Sequence, residues 1–247
     1  MNILFISLGC DKNLVDSEVM LGLLDREGYQ IVDDETEADV IVVNTCCFIH
    51  DAKEESIQAI LEAAEYKETG RLKALIVTGC LAQRYQKEIV EEIPEVDAVL
   101  GTASYDKIAE AVKEALAGHP CMEMKDIDAL PLVDAKRLVT TGGHYAYLKI
   151  AEGCDKHCTY CIIPKIRGNF RSVPMERLMK EAEALAGQGV KELILVAQET
   201  TLYGKDIYGE KSLHRLLREL CTIEGLRWIR ILYCYPEEIY DELIQVI

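Results

Sequence analysis

The sequence has no long apolar run and no basic leader. None of its apolar stretches reaches the ~18 residues that a membrane-spanning helix needs. The first ten residues, MNILFISLGC, are apolar but short, and no basic segment precedes them, so we interpret them as a β-strand rather than a signal peptide. We therefore expect a cytoplasmic protein without a membrane partner.

Positive charge is scarce as well. The chain has 27 Lys+Arg against 43 Asp+Glu, and residues 1–118 alone hold 10 basic and 24 acidic side chains. Binding driven by nucleic-acid phosphates needs clustered Lys and Arg, so direct nucleic-acid binding by this portion is not expected. The acidity suits a basic partner, and an aid to solubility is an equally good explanation.

Residues 1–118 alternate short apolar runs with helical periodicity. The pattern predicts strands at residues 3–7, 40–44, 74–78 and 98–100, and helices at residues 13–28, 52–67, 86–93 and 107–117. Strands that alternate with helices predict a parallel sheet covered on both faces. We therefore expect an α/β fold whose N-terminal domain is a doubly wound parallel sheet.

The alternation of predicted strands and helices stops over residues 119–143, where Pro120, Pro131 and a Gly-Gly pair indicate a linker. A second series covers residues 144–247, with strands at 145–150, 193–196 and 228–232 and helices at 175–185, 213–220 and 237–247. A closed barrel needs about eight β/α units. Three units make only the first half of a (β/α) partial barrel, so we expect a piece of a longer protein, the alternative being a partner that closes the sheet.

The ten cysteines of a cytoplasmic chain are expected to bind metal or act in redox chemistry rather than form disulfides. Cys154, Cys158 and Cys161 form a C-x3-C-x2-C triplet directly after a predicted strand. Three thiolates on one loop can hold three irons of a [4Fe–4S] cluster and leave the fourth iron open for the amino and carboxylate groups of S-adenosylmethionine. A structural zinc loop is the alternative, but the second cysteine pair typical of zinc is absent.

A second set of cysteines is dispersed. Cys10, Cys46 and Cys80 each follow the carboxyl end of a predicted parallel strand, the edge at which open α/β sheets bind ligands. Gly9 and Gly79 precede two of them, which suits tight turns with close backbone approach. We expect the three thiols to converge on a second cluster. Three separate buried cysteines are the alternative.

Four segments carry a resemblance to a known family. They are SLGCDKNLVDSE, NTCCFIHDAKEESI, TGCLAQRY and AYLKIAEGCDKHCTYCIIPKIRG. Together they resemble the methylthiotransferase family of radical S-adenosylmethionine enzymes over nearly the whole chain. The resemblance implies two [4Fe–4S] clusters, one on each cysteine triplet. It also implies that Tyr160 lies near the adenine of the cofactor, that the radical cluster cleaves S-adenosylmethionine, and that the auxiliary cluster carries the sulfur that is methylated and inserted at a C–H bond.

Two branches of this family differ in substrate. The start of the chain and the segment AQETTLYGKDIYG are similar to the branch that methylthiolates the β-carbon of an aspartate in small-subunit ribosomal protein twelve. That branch implies the ribosomal protein or the ribosome as a partner and an external electron donor of the flavodoxin or ferredoxin type. The alternatives are the branch that modifies an adenosine derivative in transfer RNA, an inactive fragment of either enzyme, and an electron-transfer module. Against the family pattern, we expect this chain to lack the second half of the barrel and the C-terminal TRAM domain.

Further residues are candidates for contacts with cofactor or substrate, and no catalytic side chain is expected beyond the cluster ligands. Lys165 and Arg167 follow the cluster loop and are suited to a carboxylate of cofactor or substrate, or to surface salt bridges. Gln198 and Glu199 lie past the end of a strand, where barrel sites assemble. The remaining expectations are that Asn13 and Ser17 shape the turn near Cys10, that Asn44 and Thr45 orient Cys46 by bonds to its sulfur, and that Cys47, Cys221 and Cys234 are packing residues.

Overall fold

The computed structural model describes residues 1–131, 133 and 136–247. They form two compact units. Unit 1 comprises Met1–Leu138 and Tyr160–Arg167, and unit 2 comprises Val139–Thr159 and Gly168–Ile247. The chain therefore contributes one short segment to unit 1 from within the second half of the sequence.

Unit 1 is built on a parallel β-sheet. In its described part the strands are β1 (Asn2–Ser7), β2 (Gln30–Val32), β3 (Val40–Thr45), β4 (Ala74–Gly79), β5 (Ala98–Leu100) and β6 (Cys121–Glu123). Their order is β2-β1-β3-β4-β5-β6, and every neighbouring pair is parallel. The strand order reverses between β1 and β3. Ligands of open α/β sheets bind at such a reversal, beyond the carboxyl ends of the strands.

Helices cover both faces of this sheet. They are α1 (Asp11–Arg26), α2 (His50–Thr69), α3 (Cys80–Glu92), α4 (Ile108–Leu116) and the short α5 (Ile163–Arg167). Val40 and Val42 of β3 pack in one core with α1 and α4, whereas Ile41 and Val43 pack in another core with α2 and α3. Successive side chains of a strand point to opposite faces, so a run of four β-branched residues fills both cores. The predicted doubly wound parallel sheet is confirmed.

Unit 2 contains a second parallel sheet. In the part of it that is described, β7 (Tyr145–Lys149), β10 (Glu192–Val196) and β11 (Trp228–Ile231) pair in the order β11-β10-β7, and β8 (Ala151–Glu152) pairs with β9 (Arg171–Ser172) in antiparallel orientation. The helices are α6 (Met175–Gly187), α7 (Lys205–Tyr208), α8 (Leu213–Leu220) and α9 (Asp241–Ile244). Leu148 and Leu195 of the sheet share one buried core with Leu178 and Leu216 of the helices. The predicted second series of β/α units is confirmed.

Two predicted helices differ from the structure. The helix expected at residues 237–247 is wrong over most of its length, because a 3-10 turn at Pro236–Glu238 is followed by extended backbone at Tyr240 before α9 begins. The Tyr240 hydroxyl accepts a hydrogen bond from the backbone N–H of His214 on α8, at 3.2 Å, which ties its side chain to that helix. Helix α3 starts at Cys80 rather than at residue 86, directly after β4.

The segment predicted as a linker contributes to unit 1. Strand β6 lies within it and pairs in parallel with β5. Arg137, further along, forms an ion pair with Glu18 of α1 at 3.1 Å. The predicted boundaries at residues 1–118, 119–143 and 144–247 stay a prediction. Among the residues that the structure describes, no helix is long and apolar enough to cross a membrane.

Candidate functional site

Three predicted ligands lie at one edge of the unit 1 sheet. Cys10 caps the start of α1 just after β1, Cys46 directly follows β3, and Cys80 begins α3 directly after β4. Strands β1, β3 and β4 are consecutive neighbours in the sheet. Cys46 and Cys80 are buried and Cys10 is exposed to solvent. We call these three residues the three-thiol site.

Two glycines let the backbone approach closely at this edge. Gly9 has φ +88° and Gly79 has φ +91°, both in the region that other residues rarely adopt. A Cβ atom added at Gly9 would lie 2.6 Å from Cβ and 2.9 Å from Sγ of Cys46. A Cβ atom added at Gly79 would lie 2.3 Å from Oδ1 of Asn44. The prediction of close backbone approach at both glycines is confirmed.

A buried polar network holds the ends of the strands together. The Asn13 amide donates to the carbonyl oxygens of Leu8 and Thr45, both at 2.9 Å. The Asn44 amide donates to the carbonyl oxygen of Asn13 and to the Ser17 hydroxyl, again at 2.9 Å. Helix α1 is thereby bonded to the ends of both β1 and β3. Asn13 and Ser17 shape this turn, as predicted.

The expectation that Asn44 and Thr45 bond to the Cys46 sulfur is wrong for the contacts described. Asn44 donates within the network above, and the Thr45 hydroxyl donates to the carbonyl oxygen of Thr78 at 2.5 Å. These side chains connect neighbouring strands because the carbonyl groups at a strand end need donors. They fix the backbone that carries Cys46 rather than its sulfur.

Ser56 is a residue that the sequence interpretation missed. Its hydroxyl accepts a hydrogen bond from the backbone N–H of Cys46 at 2.9 Å and donates to the carbonyl oxygen of the same residue at 2.8 Å. A signal was present in the sequence. Ser56 lies on the stripe of α2 that includes Ile60 and Ala63, and a serine at a buried position of an amphipathic helix needs a polar partner.

Arg167 brings a positive charge into the three-thiol site. Its side chain is buried, 2% exposed, and Nη1 donates to the Asp16 carboxylate at 2.8 Å. Nη2 donates to Oδ1 of Asn13, the same oxygen that accepts from the Cys80 thiol at 3.8 Å. A surface salt bridge, one of the two predicted roles of Arg167, is therefore wrong. A contact of Arg167 with cofactor or substrate stays a prediction.

The electrostatics of the site favour the protonated thiols of Cys46 and Cys80 when no metal is bound. Burial raises the pKa of Cys46, and burial raises the pKa of Cys80 to about 12. The charge on Arg167 lowers both pKa values, whereas the neighbouring Cys10 raises both. Binding of a metal or cluster must release the protons of these thiols.

The remaining cysteines fall outside the three-thiol site. Cys47 is buried in the core of unit 1, where its thiol donates to the carbonyl oxygen of Cys80 at 3.2 Å, consistent with packing. Cys234 is half-buried beside the Thr200 hydroxyl, at 3.4 Å. Cys221 is exposed, so the expectation that it packs in a core is wrong. It lies directly after α8, at the end of that helix.

The cluster loop, residues 154–161, is divided between the units. Cys154 and Cys158 belong to unit 2, and Cys161 belongs to the segment of unit 1. Within unit 2, the backbone N–H of Cys154 donates to the carbonyl oxygen of Gly168 at 3.1 Å. The backbone N–H of Lys156 points to the Cys154 sulfur at 3.5 Å, a bond suited to a thiolate ligand.

The start of the loop is pinned to the chain that follows it. A Cβ atom at Gly153 would lie 1.9 Å from the carbonyl oxygen of Asn169, so this position needs glycine. The Asp155 carboxylate accepts from the backbone N–H of Phe170 at 2.8 Å. His157 adopts φ +48°, which shapes the turn between the first two cysteines.

The residues predicted to bind cofactor have different surroundings. Gln198 follows β10 and donates to Glu152 at 3.4 Å, and Glu152 in turn pairs with Lys149 at 2.8 Å. Glu199 is 1% exposed and accepts from the backbone N–H of Thr201 at 3.1 Å. Among the described residues, Oε1 of Gln198 and Oε2 of Glu199 are buried and have no hydrogen-bond partner. Two such oxygens fit a cofactor that brings hydrogen-bond donors.

Tyr160 and Lys165 lie on the surface of the unit 1 segment. The exposed fraction of Tyr160 is 86%, and Lys165 is exposed as well. An exposed aromatic ring of this size is available for stacking with a ligand. Their predicted contacts with the cofactor stay predictions.

The arrangement of side chains around the cysteine sites bears on the kind of metal centre that they fit. Across residues 1–131, 133 and 136–247, no group of three or more His, Cys, Asp or Glu side chains is positioned around one ion. In an iron–sulfur cluster each cysteine binds a different iron, so the sulfur atoms need not converge on one point. Three thiols on neighbouring strand ends, two of them buried, fit a cluster.

Two family models match the chain. The model described as "Uncharacterized protein family UPF0004" matches residues 2–101, and that of the "Radical SAM superfamily" matches residues 148–247. The first match contains the three-thiol site and the second contains the cluster loop.

Curated proteins are similar over the whole chain. The chain is 68% identical over 247 residues to the "Ribosomal protein uS12 methylthiotransferase RimO" of Lachnoclostridium phytofermentans, covering 100% of this chain and 56% of that protein. The proteins of the same name from Clostridioides difficile and Symbiobacterium thermophilum are 55% and 54% identical, with 98% of this chain and 54% and 50% of theirs covered. The chain spans about half the length of the curated relatives it matches.

Solved structures share the fold. The radical S-adenosylmethionine methyltransferase TsrM of Kitasatospora setae has a TM-score of 0.63 at 13% identity, with 99% of this chain and 56% of that chain covered. The cobalamin-dependent S-adenosylmethionine radical enzyme OxsB has a TM-score of 0.56 at 13% identity, with 92% and 38% covered. At this level of identity the likeness concerns the fold alone.

Proposed function

Because this chain belongs to the methylthiotransferase family of radical S-adenosylmethionine enzymes, we propose that it replaces a hydrogen on the β-carbon of an aspartate in ribosomal protein uS12 with a methylthio group. The observation that carries the proposal is the three-thiol site at the carboxyl edge of β1, β3 and β4, in a chain that also has a C-x3-C-x2-C loop. A radical enzyme that only cleaves S-adenosylmethionine needs the loop alone. A second set of three thiols supports sulfur insertion.

The cysteines have two assignments in this proposal. Cys154, Cys158 and Cys161 hold the radical [4Fe–4S] cluster, and the three-thiol site holds the auxiliary [4Fe–4S] cluster. When bound, the first cluster supplies the electron that cleaves S-adenosylmethionine and the second supplies the sulfur. The depth of Cys46 and Cys80 shields two ligands from water, while the exposed Cys10 leaves one side of the site open.

The other residues of the proposal bind and orient. Gln198 and Glu199 offer their unpartnered oxygens to hydrogen-bond donors of S-adenosylmethionine, and Glu152 holds Gln198 in place. Tyr160 is available to stack on the adenine, and the exposed Lys165 is the cation for a carboxylate of cofactor or substrate. The backbone N–H of Lys156 stabilises the thiolate of Cys154.

The proposed partners follow from charge and from the relatives. Residues 1–118, all of which belong to unit 1, hold 24 acidic and 10 basic side chains and so carry most of the chain's net charge of −16. This negative charge suits a basic ribosomal protein. The electron for the radical cluster comes from an external donor of the flavodoxin or ferredoxin type. The reaction takes place in the cytoplasm, where the ribosome is.

An iron count tests the two-cluster proposal. We expect about eight irons per chain after anaerobic reconstitution, falling to about four in Cys154→Ala and in Cys80→Ala. Cys221→Ala is the matched control, because this cysteine is exposed and outside both sets, and it should retain the iron of the parent. About four irons in the parent, lost in only one of the two variants, would contradict sulfur insertion by this chain.

The substrate needs a separate assay. The reconstituted chain, S-adenosylmethionine and a reductant are incubated with uS12 or with transfer RNA, and mass spectrometry follows the replacement of one hydrogen by a methylthio group. We expect the product on an aspartate of uS12. A product on an adenosine of transfer RNA instead would assign the chain to the other branch of the family.

A further inference from the structure

One buried cation stands beside the proposed ligands of the auxiliary cluster. Arg167 reaches the three-thiol site from α5, far along the chain from the thiols. The Thr102 hydroxyl donates to the carbonyl oxygen of Ile166 at 2.8 Å, and Ile166 packs in the core of unit 1. Helix α5 is thereby held against unit 1 next to the position from which Arg167 points inward.

The guanidinium and the Cys80 sulfur share a hydrogen-bond acceptor. Both the Nη2 group of Arg167 and the Cys80 thiol donate to Oδ1 of Asn13. Two groups bound to one oxygen atom are neighbours, so the positive charge lies next to the sulfur. The carboxylate of Asp16 is bonded to Nη1, at 2.8 Å, and fixes the direction of the side chain.

A second buried arginine also pairs with an acidic side chain of α1 and serves as a comparison. Arg137 forms an ion pair with Glu18 of α1 at 3.1 Å, with exposed side-chain fractions of 4% and 1%. The pair of Arg167 and Asp16 is similarly buried, at 2% and 6%. What distinguishes Arg167 is that it shares an acceptor with Cys80.

Resting on the proposed auxiliary cluster, we propose that Arg167 is a positioning residue for that cluster. Asp16 and Asn13 hold its guanidinium, which neutralises charge at the Cys80 sulfur and favours the reduced cluster. The physical reason is simple. One-electron reduction adds a negative charge, and a fixed positive charge nearby in a buried site stabilises the more negative state. Net charge and hydrogen bonds to sulfur are the means by which proteins set cluster potentials.

The test measures the reduction potential of this cluster alone. All variants are made in the full chain with Cys158→Ala, which removes the radical cluster, and are reconstituted with iron and sulfide. Dithionite titration followed by electron paramagnetic resonance gives the midpoint. In Arg167→Gln we expect the equilibrium constant for reduction to fall about tenfold, which is 59 mV for one electron, toward more negative potential.

Three companion variants separate charge from structure. Arg167→Lys keeps the charge and should restore most of the potential. Arg137→Gln removes an equally buried arginine that lies in the other pair and should leave the midpoint unchanged. Asp16→Asn removes a negative charge near the cluster but keeps a side-chain oxygen that accepts from Nη1 of Arg167, so the guanidinium stays in place. The midpoint should therefore shift in the opposite direction, which a loss of fold would not do. This variant also keeps the proposal testable if Arg167→Gln fails to assemble.

The outcomes distinguish this proposal from the proposed function. A parent that assembles no cluster at the three-thiol site overturns both. A parent with a cluster whose midpoint is the same in Arg167→Gln and Arg137→Gln overturns only the role of Arg167. Shifts of equal sign in Arg167→Gln and Asp16→Asn also overturn it, because charge neutralisation requires opposite signs.

Discussion

Gly9 is the position at which one added methyl group tests the geometry of the three-thiol site most directly. Its φ of +88° is matched by Gly28, at +84°, which lies just after α1 and has nothing within 4 Å of an added Cβ. At Gly9 the added Cβ would lie 2.6 Å from Cys46 Cβ and 2.9 Å from Sγ. The two substitutions share the backbone strain and differ only in the collision with Cys46.

The magnitude follows from these two contributions. Alanine at such a φ costs about 1–2 kcal/mol, so we expect this loss of unfolding free energy for Gly28→Ala. Gly9→Ala adds the cost of forcing a side chain into occupied space, about 1–3 kcal/mol. Cys46 cannot move away easily, because Ser56 bonds both its N–H and its carbonyl group. We therefore expect a total of about 2–5 kcal/mol for Gly9→Ala.

The assay must report on unit 1 alone. The single tryptophan, Trp228, lies in unit 2 and reports on that unit. Hydrogen exchange of peptides from β3 and β4, measured by mass spectrometry across a urea series, gives the unfolding free energy of unit 1. The iron retained after reconstitution is measured in parallel and should fall only in Gly9→Ala. Equal destabilisation of the two variants, within about 0.5 kcal/mol, would refute the close contact between Gly9 and Cys46.

Three further predictions concern the acid stability of unit 2, the reactivity of a thiol and a buried hydroxyl. Hydrogen bonds from two lysines lower the pKa of Glu238 from 4.5 to about 2. Glu238→Gln should therefore remove about 1 kcal/mol of stability that is present above about pH 4.5 and lost toward pH 2, which tryptophan fluorescence in urea at several pH values will show. Burial raises the pKa of Cys80 to about 12, so iodoacetamide at about pH 8 should label this thiol of the metal-free chain roughly a thousandfold more slowly than an ordinary thiol. Peptide mapping compares its labelling rate with that of the exposed Cys10, and equal rates would refute the prediction. Ser56→Ala leaves the N–H of Cys46 unpaired and should cost about 1–3 kcal/mol in the hydrogen-exchange assay, whereas a loss under about 0.5 kcal/mol would contradict the bonds described.

The sequence predicted most of the fold because its main elements have strong local patterns. The run of β-branched residues at 40–43 and the helical period of residues 13–24 each identify an element without knowledge of its neighbours. Strands β2 and β6 were missed because their three residues are exposed or half-buried and include the polar Gln30 and Glu123, whereas the equally short β5 is fully buried and apolar. Strand β6 also directly follows Pro120, and proline is typical of linkers. Short strands form because a neighbouring strand is present, and that neighbour is distant in sequence.

The site divides in the same way. The positions of Cys10, Cys46 and Cys80 at strand ends could be predicted, because each lies within three residues of the end of a recognisable strand. The role of Arg167 could not, since its partner Asp16 is 151 residues away and nothing local selects one acid among many. Ser56 could be predicted in part. The helical period places it on the buried stripe of α2, but its hydrogen-bond partner is set by the tertiary fold.

The separation of Arg167 from the thiols also has a consequence for biosynthesis. Strands β1, β3, β4 and β5 all lie within the first hundred residues, so the sheet edge that carries the thiols can pair soon after these residues leave the ribosome. Arg167 is 87 positions beyond Cys80 and emerges roughly 4–17 s later at ordinary rates of synthesis. The nascent chain therefore presents three clustered thiols before their counter-ion arrives. During that interval Asn13 lacks the hydrogen bond that Arg167 donates in the folded chain, and the arrival of α5 supplies it.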